Sequence, residues 1–140
     1  MGGGIAQVAA VNAGKRVVLV DSSPEQLTRA TGLMDKLLTK AIDKGKMTAE
    51  DKAAALARVE TFTDLQALEQ ADFVVEAATE DTELKLKLFG MIADAAPKHA
   101  ILASNTSSIS ITKIAAATDR PEQAAPHHIP GQSGQIILQF

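Results

Sequence analysis

The chain has no cysteine, no tryptophan and no tyrosine, and only four phenylalanines among its 140 residues. The absence of cysteine excludes disulfides, thiolate zinc sites, iron–sulfur clusters and a cysteine nucleophile. With no cysteine, the three histidines His99, His127 and His128 provide few nitrogen or sulfur ligands for a metal ion. We therefore predict no metal site and, because a cysteine-free chain fits a reducing compartment, a cytoplasmic protein.

Positive charge is also scarce, since 14 Lys and Arg stand against 17 Asp and Glu and the formal net charge is −3. A groove that follows nucleic-acid phosphates needs a basic face with stacking aromatic side chains, so we expect no nucleic-acid partner. No apolar run approaches the roughly 18 residues of a membrane helix, and no basic stretch followed by an apolar one opens the chain. With 46% hydrophobic and 22% charged residues, the composition is typical of one soluble globular domain with no membrane partner.

Strands and helices alternate in the predicted order of elements. Continuous apolar runs that end in turns predict strands over residues 16–20, 59–63, 72–77 and 100–104. Helical patterns cover residues 1–13, 24–44 and 48–58, a stretch from 84 that Pro97 closes, and a short stretch around 109–114. We predict a capping box of Ser22 and Glu25 for the second helix, and no element for the tail after Pro126. Because parallel strands need crossovers that are usually helices, this order predicts a doubly wound α/β domain with a parallel sheet.

Candidate functional residues lie where the predicted strands end, which is where doubly wound sheets bind ligands. They are Asp21, Glu80, residues 104–108, and the glycines at 2–4 that open the first helix. Glycines at a helix N-terminus let a pyrophosphate approach bare amides. Asp21 lies 19 residues beyond Gly2, the position of the acid that hydrogen-bonds a ribose 2′-hydroxyl, and its charge would repel a 2′-phosphate. This spacing favours NAD over NADP, although a glycine-rich leader and a turn aspartate would explain it equally well.

Four segments together resemble one family. They are residues 1–7 (Met-Gly-Gly-Gly-Ile-Ala-Gln), 17–21 (Val-Val-Leu-Val-Asp), 74–80 (Val-Val-Glu-Ala-Ala-Thr-Glu) and 103–108 (Ala-Ser-Asn-Thr-Ser-Ser). They are similar to the NAD-binding domain of the 3-hydroxyacyl-CoA dehydrogenases, over roughly residues 1–123, whereas residues 124–140 diverge. Members pass a hydride from the 3-hydroxyl carbon of an acyl-CoA to NAD while a histidine takes the hydroxyl proton. The resemblance therefore implies a Rossmann-like fold, an NAD cofactor and an acyl-CoA substrate.

Five cofactor-binding residues follow from this resemblance. Gly2 corresponds to the last glycine of the dinucleotide fingerprint and Gly4 to a close-packing glycine one turn on, while Asp21 becomes the ribose acid. Glu80 and Lys85 match positions near the nicotinamide end of the cofactor. Without the resemblance, Glu80 would be interpreted as an acid in the first turn of the next helix and Lys85 as part of a solvated helix face.

The resemblance also implies two catalytic residues. Ser107 matches the serine that holds the substrate's hydroxyl or keto oxygen, and an ungapped match from Ser107 puts the catalytic base at His128. Taken alone, Ser107 would be a helix N-cap and His128 a surface residue in a loop rich in Pro and Gly.

The chain departs from the family in three places. The family's first strand and first two fingerprint glycines would precede Met1, so two interior strand edges should be unpaired and the chain poorly soluble. Gly131 and Phe140 stand where the family has an Asn and the Glu that orients the histidine. The helical domain that completes the acyl-CoA cleft, and through which the family usually forms dimers, has no counterpart.

Two classes of function are compatible with these observations. The first is a partial NAD-dependent 3-hydroxyacyl-CoA dehydrogenase of fatty acid metabolism, truncated at both ends and with little activity of its own. The second is a non-catalytic NAD-binding module or remnant. A different doubly wound domain, such as a flavodoxin-like or receiver fold, would have to account for residues 104–108 by chance.

Overall fold

The computed structural model describes residues 2–78, 80–105, 110–119, 121–126 and 136–139. Its helices are α1 (Gly2–Val11), α2 (Pro24–Asp43), α3 (Ala49–Ala57), α4 (Thr82–Ala95) and α5 (Ile111–Ala116). Its strands are β1 (Val17–Val20), β2 (Val59–Phe62), β3 (Phe73–Glu76), β4 (Ile101–Ser104), β5 (Ala124–Pro126) and β6 (Ile136–Gln139). Short 3-10 helices cover Leu65–Gln70 and Pro121–Gln123. The four predicted strands are confirmed as β1 to β4, whereas β5, β6 and both 3-10 helices were not predicted.

The strands form one parallel sheet in the order β2-β1-β6-β3-β4-β5. A sheet of this kind with helical crossovers confirms the predicted doubly wound, Rossmann-like fold. Helices cover both of its faces. Val17, Leu19 and Val75 pack with residues of α1, α2 and α3 on one face, and Val18, Val20 and Val74 pack with Phe89, Ile92 and Ile114 on the other.

The expectation of two unpaired interior edges is wrong, because β6 lies between β1 and β3. Ile137 is in register with Val18 on one side and with Val74 on the other, and both pairings are parallel. Helix α1 packs against β6 as well as against β1. The predicted poor solubility therefore loses its structural reason within the described residues, since β1 and β3 are both paired with β6.

Helix ends follow local side-chain chemistry, with one correction to the sequence analysis. The capping box of Ser22 and Glu25 does not form: the N-cap of α2 is Ser23, whose side chain makes no capping bond. Asp21 replaces it, because its Oδ1 accepts from the Ser23 backbone N–H at 2.7 Å and turns the chain into α2. At α3, Thr48 forms a capping box with Asp51. No helix in the described part of the chain is long and apolar enough to span a membrane.

Candidate functional site

All strands of a parallel sheet end at the same edge, so the residues that follow β1, β3 and β4 lie along one side of the molecule. Asp21 follows β1 and is only 7% exposed. Its backbone N–H donates to the Phe62 carbonyl at 3.2 Å, and its Oδ1 accepts from Ser23 at 2.7 Å. Its other oxygen, Oδ2, makes no hydrogen bond with any described residue, which leaves it able to accept from a ribose hydroxyl.

The glycines at the start of α1 have different surroundings. A Cβ added to Gly3 would meet the Ala30 Cβ at 3.7 Å, an ordinary contact between α1 and α2. A Cβ added to Gly4, which is exposed, would meet no described atom within 4 Å. The close-packing role predicted for Gly4 is therefore wrong, because α1 turns its position 4 away from α2. Its role in cofactor binding, like that of Gly2, stays a prediction.

A buried polar network lies where β3 and β4 end. Lys85 reaches it from the first turns of α4, and its Nζ lies 2.6 Å from Glu76 Oε2. The Ser104 hydroxyl donates to the same Glu76 oxygen at 2.9 Å and lies 3.4 Å from Lys85 Nζ. The relative exposure of the three residues is 0% for Glu76, 0% for Lys85 and 2% for Ser104. A charged pair this deeply buried adds little net free energy of folding, because the cost of removing both charges from water offsets much of their attraction. Its main effect is to fix the positions of the two side chains.

Glu76 also fixes the two loops that leave this edge. Its Oε1 accepts from the Ala78 backbone N–H at 2.7 Å, and its backbone carbonyl accepts from the Asn105 N–H at 2.8 Å. The first loop leads to Glu80 and the second begins the segment that contains the predicted Ser107. Glu76 therefore holds the start of one loop and the Lys85 ammonium through its carboxylate, and the start of the other loop through its backbone carbonyl.

Lys85 is not part of a solvated helix face, because α4 turns it inward. Glu80 is exposed and lies one residue before Asp81, the N-cap of α4, whose side chain accepts from the Leu84 N–H at 2.9 Å. The interpretation of Glu80 as a first-turn acid is thus also wrong, since Glu83 occupies that place. The contribution of Glu80 and Lys85 to cofactor binding stays a prediction.

Sequence reasoning gave no role to Glu76. The signal that identifies it is a single carboxylate inside a strand that is otherwise apolar, followed nine residues later by a lysine. A charge in such a strand needs a partner, because an unpaired buried charge is strongly unfavourable. Glu76 at the end of β3 and Lys85 near the start of α4 meet because β3 leads directly into α4.

The two predicted catalytic residues, Ser107 and His128, lie outside the described residues. The ribose acid Asp21 and the Glu76–Lys85–Ser104 network both lie at the carboxyl edge of the sheet, at the ends of β1, β3 and β4. In the described part of the chain, no group of three or more His, Asp or Glu side chains could hold a metal ion.

The sequence is similar to that of known proteins. Residues 1–130 match the family described as "3-hydroxyacyl-CoA dehydrogenase, NAD binding domain". The chain is 46% identical over 128 residues to a 3-hydroxyadipyl-CoA dehydrogenase of Escherichia coli, covering 91% of this chain and 27% of that protein. It is 44% identical over 128 residues to a probable 3-hydroxybutyryl-CoA dehydrogenase of Deinococcus radiodurans, covering 91% of this chain and 45% of that protein.

The fold is similar to that of solved structures. The crystal structure of an (S)-3-hydroxybutyryl-CoA dehydrogenase from Ralstonia eutropha matches with a TM-score of 0.88 and 43% identity, over 94% of this chain and 46% of that one. This chain thus spans less than half of the length of these relatives. NAD, the cofactor expected from Asp21, is the one that the family description names. The chain belongs to the NAD-binding domain family of the 3-hydroxyacyl-CoA dehydrogenases.

Proposed function

We propose that this chain is the cofactor-binding part of an NAD-dependent 3-hydroxyacyl-CoA dehydrogenase, and that the reaction is oxidation of a 3-hydroxyacyl-CoA to a 3-oxoacyl-CoA. The observation that carries the proposal is Asp21, a carboxylate at the end of β1 that is nearly buried and rigidly oriented by the Ser23 N–H. The acyl-CoA substrate is supported by the names of the relatives, a 3-hydroxyadipyl-CoA dehydrogenase and a probable 3-hydroxybutyryl-CoA dehydrogenase. The cytoplasm stays a prediction of the cysteine-free composition.

The residues at the carboxyl edge fit NAD. Asp21 has one oxygen engaged in the turn and the other available to accept from a ribose hydroxyl. The positive end of the α1 dipole, which begins at Gly2, suits a pyrophosphate. A 2′-phosphate beside Asp21 would bring two negative groups together, so this chain should prefer NAD to NADP.

Lys85 and Glu80 would serve the nicotinamide half of the cofactor. Because Glu76 and Ser104 hold Lys85 by two contacts, its ammonium keeps a fixed position at the end of β3. Glu80, which is exposed just before the N-terminus of α4, would face the nicotinamide ribose. The roles of Lys85 and Glu80 come from the family resemblance, and the burial of Lys85 and the exposure of Glu80 are those of the structure.

The chemistry would combine the cofactor with two side chains. Bound NAD supplies the acceptor for the hydride that leaves the substrate's C3. His128 would take the proton of the 3-hydroxyl, and Ser107 would donate a hydrogen bond to the oxygen that becomes the ketone. A proton and a hydride leave the same alcohol, so one substrate oxygen must contact both side chains.

The rival function is a non-catalytic NAD-binding module. It is favoured by one observation, which is that Gly131 and Phe140 occupy the positions of the Asn and of the Glu that orients the histidine in the family. A general base needs its tautomer and its orientation fixed by a partner. The two functions share the NAD site and differ only in turnover.

Calorimetric titration with NAD and NADP tests the shared site. Asp21→Asn keeps the Oδ1 acceptor for Ser23 and removes the charge, so it isolates the contribution of the carboxylate. A hydrogen bond to a charged group contributes about 1.5–3 kcal/mol, so we expect NAD affinity to fall by about tenfold or more and the preference over NADP to disappear.

Asp64→Asn is the matched control. Asp64 makes the same kind of turn, in which its Oδ1 accepts from the Gln66 N–H at 2.8 Å, but it lies after the edge strand β2. It should leave both affinities unchanged. Equal affinity for NAD in the parent chain and in Asp21→Asn would remove Asp21 from the site and with it the main support for the proposed function.

A further inference from the structure

The buried charged side chains in the described part of the chain all lie at the carboxyl edge of the sheet. Asp21 follows β1 and is 7% exposed, whereas Glu76 and Lys85 are both 0% exposed. Asp21 is a single negative charge. Glu76 and Lys85 form a pair, with the Lys85 Nζ 2.6 Å from Glu76 Oε2, so their charges cancel. One part of this edge therefore carries a net buried charge, and the other carries a neutral pair.

The two parts correspond to the two halves of a dinucleotide. In the sheet, β1 lies to one side of β6, and β3 and β4 lie to the other. A dinucleotide crosses such a sheet outside the carboxyl ends of its strands. With the adenosine ribose at Asp21, the nicotinamide half extends over β3 and β4, toward the pair of Glu76 and Lys85. This placement rests on the proposed function.

NAD and NADH differ in charge at the nicotinamide ring. The ring is positively charged in NAD and neutral in NADH, because a hydride brings one proton and two electrons. A net charge near the ring therefore changes the affinities for the two forms by different factors, whereas a neutral pair has a much smaller effect. Buried charges act more strongly than exposed ones, because water and salt screen them less. The ratio of the two affinities is thus sensitive to any imbalance between Glu76 and Lys85.

We propose that Glu76 sets the relative affinity of this site for NAD and NADH by cancelling the charge of Lys85. Lys85 alone would repel the ring of NAD and leave that of NADH unaffected. The Glu76 carboxylate removes this discrimination, and the Ser104 hydroxyl holds it in place by donating to Oε2 at 2.9 Å. Glu76 is 0% exposed, so it acts as a positioning residue through its charge and needs no contact with the cofactor.

Calorimetric titration of the chain with NAD and with NADH measures the two dissociation constants and their ratio. Glu76→Gln provides an amide oxygen for the Ala78 N–H in place of Oε1, but it leaves the charge of Lys85 uncompensated. A unit charge within about 10 Å, at an effective dielectric constant of about 20, changes a binding constant by roughly tenfold. We therefore expect the dissociation constant of NAD, divided by that of NADH, to rise roughly tenfold in Glu76→Gln.

Lys85→Met makes the opposite change, because it leaves the negative charge of Glu76. The same ratio should then fall roughly tenfold, even if both affinities also drop through loss of a contact that Lys85 makes. An unpaired buried charge tends to be neutralised by proton exchange, so Glu76→Gln is titrated at about pH 6 and Lys85→Met at about pH 8, each beside the parent chain at the same pH. The double variant carries neither charge and should restore the parent ratio.

Two controls separate charge from structure. Glu76→Asp keeps the charge on a shorter side chain, so it should change both affinities by the same factor. Asp35→Asn also leaves a lysine uncompensated, because Asp35 Oδ1 lies 2.7 Å from Lys52 Nζ, but this pair is partly exposed and joins α2 to α3. It should leave the ratio unchanged.

The ratio also separates a failure of this inference from a failure of the proposed function. If the parent chain binds both forms and the two single variants leave the ratio unchanged, or shift it in the same direction, the inference is wrong and the proposed function stands. If a single variant does not fold, the double variant decides, because it has no unpaired buried charge: the parent ratio supports the inference and a changed ratio contradicts it. A parent chain that binds neither form would refute both.

Discussion

The buried pair of Lys85 and Glu76 allows a sharp prediction of stability. Lys85→Met keeps most of the side-chain volume and removes the ammonium, which leaves the Glu76 carboxylate with the Ser104 hydroxyl and the Ala78 N–H as its described partners. Both side chains of the pair are at most 1% exposed, so water cannot replace the lost charge. Removing one partner of such a pair costs about 3–5 kcal/mol.

This loss is large compared with the total stability of a domain, which is about 5–15 kcal/mol. For a chain of this size it corresponds to a fall in thermal midpoint of about 10–20 °C. Urea denaturation followed by far-ultraviolet circular dichroism measures the free energy of unfolding, and the slope with urea checks that the denatured state is unchanged.

Lys52→Met is the matched control. Its Nζ lies 2.7 Å from Asp35 Oδ1, nearly the same separation, but the two side chains are 21% and 51% exposed. Exposed pairs contribute about 0–1 kcal/mol, so this variant should lose little stability. The contrast isolates burial, because distance and charge are the same in both pairs.

The double variant Glu76→Gln with Lys85→Met completes the argument. It removes both charges, so its loss of stability should be clearly smaller than the sum of the two single losses. If Lys85→Met costs no more than Lys52→Met, or if the two single losses simply add, then Lys85 does not depend on Glu76 and the network does not hold the loops at the ends of β3 and β4.

Three further predictions use other parts of the chain. Gly32→Ala in α2 should raise the free energy of unfolding by about 0.5–1 kcal/mol, because alanine favours the helix and the added Cβ meets no described atom within 4 Å. Gly45→Ala should lower the free energy of unfolding by about 1–2 kcal/mol, because Gly45 has φ +66°, which is unfavourable for a residue with a Cβ. Thr48→Ala should cost about 1 kcal/mol in urea denaturation through loss of its cap, and Ser23→Ala close to nothing because its side chain makes no cap. NADH formation from 3-hydroxybutyryl-CoA should stay near background, because loss of an orienting carboxylate lowers turnover roughly 10⁴-fold in a comparable relay. Robust turnover that is abolished by His128→Ala would contradict this last expectation.

Local patterns in the sequence predicted much of the fold, and the reason is physical. Strand β1 is a continuous apolar run, and β3 is one apart from Glu76; runs of this kind are typical of strands buried on both faces. Gly45 and Thr48 mark helix ends because left-handed backbone and N-terminal capping are local requirements. The place of Asp21 at the end of β1 was predicted from the apolar run before it, and its role as the ribose acid was predicted from its spacing to the glycines of α1.

The sequence by itself determined the class of fold, the family and the cofactor, since these depend on residue types at fixed spacing. The tertiary structure alone decided two features. It paired Glu76 with Lys85 and Ser104, because the partners come from three elements that only the packed sheet brings within hydrogen-bond distance. It also put β6 at the centre of the sheet, because the run Ile136-Ile137-Leu138 does not specify which neighbours a strand will pair with, and that choice depends on the edges that the rest of the fold leaves open.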